Sequence, residues 1–182
     1  MPAIDPLRTL THAVLSRHET RMVETDALFR IAHAAEEAGD HDFARHSFER
    51  GAALGDASCV MRLAYMYDVG GLGVEVDKVR AMQLYRRAWR QGCPGCATNI
   101  AILYRERGNH RAMFQWFKRE ADAGDGDAQL DLAKCFLNGT GVRKCAQSAL
   151  RCLSAAISSE YVTEASREEA QDILEKLRPR VI

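Results

Sequence analysis

The chain has 182 residues in which 25 Lys and Arg balance 25 Asp and Glu, with 47% hydrophobic residues, 6 Cys, 13 Gly and 4 Pro. That apolar content excludes a disordered chain, and the balance excludes a wholly basic nucleic-acid binder or a polyacidic tail. No stretch reaches the ~18 uninterrupted apolar residues of a membrane span.

In chain order, Met1-Pro2-Ala3-Ile4-Asp5-Pro6 lacks the basic and apolar segments of an export signal. The six cysteines are therefore expected to be reduced thiols in a cytoplasmic protein. Pro94 alone interrupts the interior between Pro6 and Pro179, which leaves long stretches free to be helical. Leu7, Leu10, Val14 and Leu15 form an apolar stripe beside Arg8, Thr11 and Arg17, so residues 1–22 read as an N-terminal capping helix.

From there the sequence repeats itself, and self-similarity at a period of 30–40 residues is the mark of a repeat array. Eight residues after Gly55 come Leu63 and Ala64, then Tyr67; from Gly92 the same offsets give Ile100, Ala101 and Tyr104. From Gly124 they give Leu132, Ala133 and Phe136, and a weaker copy upstream has Ile31, Ala32 and Ala35. The second half of each unit recurs as well: Ala44, Phe48, Ala52, then Ala81, Tyr85, Ala88, then Met113, Trp116, Phe117, Ala121, and last Ala149, Leu153, Ala156. Spacings of i, i+3, i+4 and i+7 describe a helix stripe rather than strand alternation. Glycines after each first half supply the chain reversal, with long turns at Gly70-Gly71-Leu72-Gly73-Val74 and Asn138-Gly139-Thr140-Gly141-Val142. Short ones stand at Gly39-Asp40 and Gly108-Asn109. The expected fold is all-α: a solenoid of about four helix pairs over 23–55, 56–92, 93–124 and 125–160. A C-terminal capping helix over 161–182 follows, opened by Thr163 and carrying Ile173, Leu174 and Leu177.

The pattern Gly…Leu-Ala…Tyr…Gly-x-Gly-Val…Ala…Tyr…Ala…Gly resembles the Sel-one-like repeat, a relative of the tetratricopeptide repeat. Gly55 to Gly92 matches best, with Asp77 and Ala81 at the family's Asp and Ala. The turns at Gly39 and Gly108 lack Gly-x-Gly-Val and look more like tetratricopeptide turns. The resemblance implies a right-handed superhelix that binds a protein or peptide without catalysis and without a cofactor, as an adaptor, regulator or immunity-type inhibitor. It also implies that the first helices line a concave groove, with Arg30, His33, Arg62, Tyr65, Asn99, Ile102, Asp131 and Lys134 facing the partner. Arg30, Arg62 and Asn99 share one offset as a row of donors for a carboxylate, and Asp131 takes the next place in that row. A secreted branch of the family bridges the Cys59 and Cys96 positions to the preceding helix. Here those partner positions are Ala52 and Trp89, so no bridge can form.

Three features remain open to more than one reading. Cys93-Pro94-Gly95-Cys96 is a packing pair, a redox dithiol or half a zinc site; Cys59, Cys96 and Ala128 at one offset favour packing. Cys145 and Cys152, seven apart, are expected on one helical face, and Cys135 in the core stripe. No His spacing fits a metal site and no Ser sits in a nucleophile elbow, so neither a metal nor a catalytic residue is expected. Residues 78–119 hold ten basic residues against Glu106 alone, between acidic flanks. That block is balanced by attraction to neighbouring units with most of its Arg on solvated outer helices, or binds an acidic protein segment, with nucleic acid third.

Overall fold

The computed structural model describes residues 17–177, with side chains from residue 19. Among the described residues there are nine α-helices. They are α1 (Arg17–Glu37), α2 (His41–Ala53), α3 (Ala57–Val69), α4 (Lys78–Arg90), α5 (Cys96–Glu106), α6 (His110–Asp122), α7 (Gly126–Asn138), α8 (Ala146–Ser158) and α9 (Glu164–Leu177). Four antiparallel pairs, α1–α2, α3–α4, α5–α6 and α7–α8, follow one another, and each pair packs on the next through its second helix. The fold is a helical repeat solenoid, ended by α9 against α7 and α8. The expected capping segment 1–22 lies mostly outside the described residues. Its last six positions continue without a break into α1.

Local chemistry explains the boundaries. The turn from α2 to α3 shows it best: Gly55 takes φ +92, and Asp56 then accepts the Cys59 N–H at 2.7 Å as the N-cap of α3. Only a residue without Cβ takes that φ cheaply, and a carboxylate at the helix start satisfies an otherwise orphaned donor. Asp40, Asn109 and Asp125 cap α2, α6 and α7 in the same way. In the long turn after α7, Gly141 presses on the first residue of α6, and a Cβ there would collide with the His110 carbonyl.

The core is the repeat pattern turned inward. Ala44, Phe48, Ala52, Ala81, Tyr85, Ala88, Met113, Phe117, Ala121, Ala149, Leu153 and Ala156 are all buried, as are Leu63, Ala64, Ile100, Ala101, Leu132 and Ala133. Small residues let the paired helices approach. Cys59 packs so close to Gly51 that any Cβ at 51 would meet its Sγ. Ile31 departs from expectation at 47% exposed. It stands in the first pair, where no described helix covers that side of α1, and opens with Phe43 on a cleft between α1 and α2.

Candidate interaction surface

The first helices α1, α3, α5 and α7 carry the expected groove residues, two per helix. Arg30 is exposed on α1; Arg62 and Tyr65 stand on α3, Asn99 and Ile102 on α5, Asp131 and Lys134 on α7. Their chemistry is more committed than spacing alone suggests. Arg62 pairs with Glu36 of α1 across 26 residues of chain, and its guanidinium lies 5.2 Å from the Tyr65 ring centroid. His33 reaches the same Glu36 at 3.8 Å and packs edge-on to Phe29 and Phe48. Lys134 is held by Glu169 of α9 at 2.8 Å. Burial raises the Asp131 carboxyl above its ordinary value, against the pull of Lys134 and Arg105. Among the described residues Arg30 forms no ion pair, so the donor row keeps Arg30 and Asn99 and loses the free charge of Arg62.

The basic block behaves differently. Among the described residues two of its ten cations meet a carboxylate: Lys78 reaches Asp68 and Glu106, and Lys118 reaches Asp122. None of its eight arginines forms an ion pair with another described residue. Instead Arg80 lies over Tyr67, Arg86 over Tyr104, and Arg119 over Trp116 at 4.4 Å. Direct pairing with the acidic flanks is thus confined to Lys78 and Lys118, while seven of the eight arginines are exposed to solvent. Side chains three and four apart share a helix face, which sets Gln83, Arg86, Trp89 and Arg90 of α4 together. Trp116 and Arg119 of α6 come alongside, and Trp89 and Trp116 meet edge to face at 6.1 Å. Sequence reasoning counted these arginines but placed Trp116 only in a repeat stripe and Trp89 only opposite Cys96. The signal that could have joined them is the shared i, i+3, i+4 spacing on α4 and α6.

The cysteines are free thiols and mostly packing residues. Cys93 is 5% exposed and Cys96 fully buried; Cys93 Sγ touches Met61 Sδ at 3.6 Å. The hydrogen bond from Cys96 favours the Cys93 thiolate, and the same bond, with burial, pushes the Cys96 thiol far up. Burial likewise raises Cys135 to about 11. Cys145 corrects the expectation of a shared helical face with Cys152. It is the N-cap of α8, in an extended conformation before the helix begins. Among the described residues no group of three or more His, Cys, Asp and Glu is placed to hold a metal ion. A residue the sequence reading passed over is Glu120. It lies just outside the basic block, is 3% exposed, and accepts the Gly95 and Ala97 N–H groups at 2.9 and 3.0 Å. Gly95 has no side chain to cap α5, so α6 caps it instead.

Stacked helix pairs with half-exposed polar residues along their first helices define a helical-repeat solenoid. The family model of the Sel1 repeat matches at two positions, 57–93 and 126–161, which are the pairs α3–α4 and α7–α8 with the long glycine turns. Its fold is similar to that of a protective antigen present in uropathogenic Escherichia coli strains displaying an SLR fold. The TM-score is 0.65 at 20% identity, over 88% of this chain and 45% of that one. It is similar as well to a Sel1 repeat protein from Oxalobacter formigenes, with TM-score 0.63 at 26% identity, over 70% of this chain and 54% of that one. The chain thus spans about half the length of these solved structures. No curated protein matches its sequence. Among the described residues no helix is long and apolar enough to cross a membrane.

Proposed function

We propose that this chain is a non-catalytic interaction module that holds a protein or peptide partner along its first-helix face, as an adaptor, regulator or inhibitor. Sel1 repeats typically serve protein–protein interaction, which supports the class of function. The observation that carries the reading is the succession of exposed or half-exposed residues at matched positions of the first helices: Arg30 and His33, Arg62 and Tyr65, Asn99 and Ile102, Asp131 and Lys134. Arg30 and Asn99 offer donors to a carboxylate at one end, while Asp131 favours a neutral or basic segment at the other. The six free thiols fit a reducing, cytoplasmic setting.

The test begins with a partner identified by affinity capture and then measured against purified variants. Arg30→Glu and Asn99→Ala are expected to weaken binding severalfold while leaving helicity intact, because Arg30 is exposed and has no ion pair to lose. Unchanged affinity in both variants, and in the Arg30→Glu/Arg62→Glu double variant, removes the first-helix face from consideration.

A further inference from the structure

We propose that the second-helix face of α4 and α6 is a separate docking surface for a short acidic segment of a partner protein. Its chemistry is two or three carboxylates flanking one apolar side chain. The surface is a shallow cleft of about 400 Å³ lined by Gln83, Arg86, Trp89, Arg90 and Trp116, with Arg119 beside it. Arg86, Arg90 and Arg119 are exposed, and none is paired to a carboxylate. Local competition for them is small. α4 carries no Asp or Glu, Glu120 of α6 is buried under α5, and Asp122 is taken by Lys118 at 2.6 Å.

These arginines are also partly ordered before any partner arrives. Arg86 donates to the Tyr104 hydroxyl, Arg90 donates to the Arg86 carbonyl, and Arg119 donates to the Gln115 carbonyl while lying over Trp116. Guanidiniums held in this way lose less freedom on binding, and they present carboxylates with paired donors. The half-buried indoles of Trp89 and Trp116 between them are the kind of anchor on which interface energy concentrates.

Charge layout selects an acidic protein segment over nucleic acid. Residues 78–119 carry an excess of nine positive charges, yet 1–56 hold ten acidic residues against six basic, and 120–142 hold five against one. A polyanion extending along the array would leave the basic band and meet like charge on either side. One indole face of Trp116 lies under Arg119, and the two indoles stand edge to face, so they do not align as a parallel platform for successive stacked bases.

The experiment uses the full chain and three probes: a fluorescein-labelled peptide with a central Leu between Glu and Asp residues, the same peptide with Gln and Asn replacing them, and a single-stranded oligonucleotide of equal charge. Anisotropy is expected to show binding of the acidic peptide alone, with a change in Trp fluorescence and weakening as salt screens the surface. The Arg86→Glu/Arg90→Glu variant is expected to bind about tenfold or more weakly. Arg143→Glu, an exposed cation on neither surface, is expected to bind as the unaltered chain does, and the groove is tested on its own captured partner, so failure here is separable from failure of the groove. Circular dichroism checks that the double variant keeps its helices, and Arg119→Gln reads the same surface with a milder change. The proposal is overturned if the acidic peptide does not bind, if the double variant and Arg119→Gln both bind it as the unaltered chain does, or if the oligonucleotide binds more tightly than the peptide.

Discussion

A carboxylate at 120 sits where solvation is nearly absent, and its retention needs a reason. Two backbone N–H groups of α5 supply it, together with the positive end of the α5 dipole, because Glu120 stands at a helix N-terminus that Gly95 cannot cap. Removing the side chain strands two buried donors. Glu120→Ala is expected to lower stability by about 2–3 kcal/mol, the worth of hydrogen bonds to a charged group plus the cost of unmet donors. Glu120→Gln, which keeps one acceptor oxygen, should cost less. Urea denaturation measures both. A Glu120→Ala loss no larger than that of the exposed control Glu175→Ala would falsify the capping role.

Helices α4 and α8 open after the same kind of long glycine turn but begin with different residues. Asp77 caps α4 by accepting Val79 and Arg80 N–H at 3.0 and 2.9 Å. Cys145 holds the corresponding place before α8 in an extended conformation, with φ −154 and ψ 99, and its side chain makes no capping bond. The backbone is thus already set for a cap that the side chain does not provide. Cys145→Asp is expected to stabilise the chain by about 1 kcal/mol, visible as a higher melting temperature. A melting temperature that stays the same or falls would show that α8 draws nothing from its first turn. The apolar stripes of α2 to α8 were legible in sequence because helix periodicity is local. The caps were only partly so. Asp and Asn after a glycine follow a recognisable order, whereas Glu120 reaches back 23 and 25 residues to its donors.

Across the molecule the anchoring is uneven. In α9 only Ala170 is buried, with Ile173 and Leu174 half-buried against the same cluster, and polar contacts tie the helix down as well. Asp127 of α7 accepts the Thr163 N–H at 3.1 Å and its hydroxyl at 2.9 Å, Lys134 holds Glu169, and Arg167 donates to the Ile157 and Ser159 carbonyls. Burial alone would raise the Asp127 carboxyl, but hydrogen bonds from Ser166 and Thr163 outweigh it and bring it below the ordinary value. A carboxyl depressed in the folded state stabilises that state above the unfolded value of about 3.9, and the gain is lost as pH falls through the lower folded value. On acidification, α9 amides are therefore expected to lose hydrogen-exchange protection before those of α3 and α4, and Asp127→Asn should loosen α9 already at neutral pH. Protection that declines in step along the whole array at every pH would rule this out.

Sequence by itself determined that this chain is an all-helical array, because turn glycines, capping aspartates and apolar stripes act within one helix or one turn. It also determined that a band of positive charge lies in the middle. Tertiary structure alone decided what those charges do. Arg62 finds Glu36 26 residues away and is spent within the fold, while the arginines of α4 and α6 find aromatic rings and carbonyls but no carboxylate. Ion pairing depends on how helices are rotated and stacked against one another, and no local pattern encodes that.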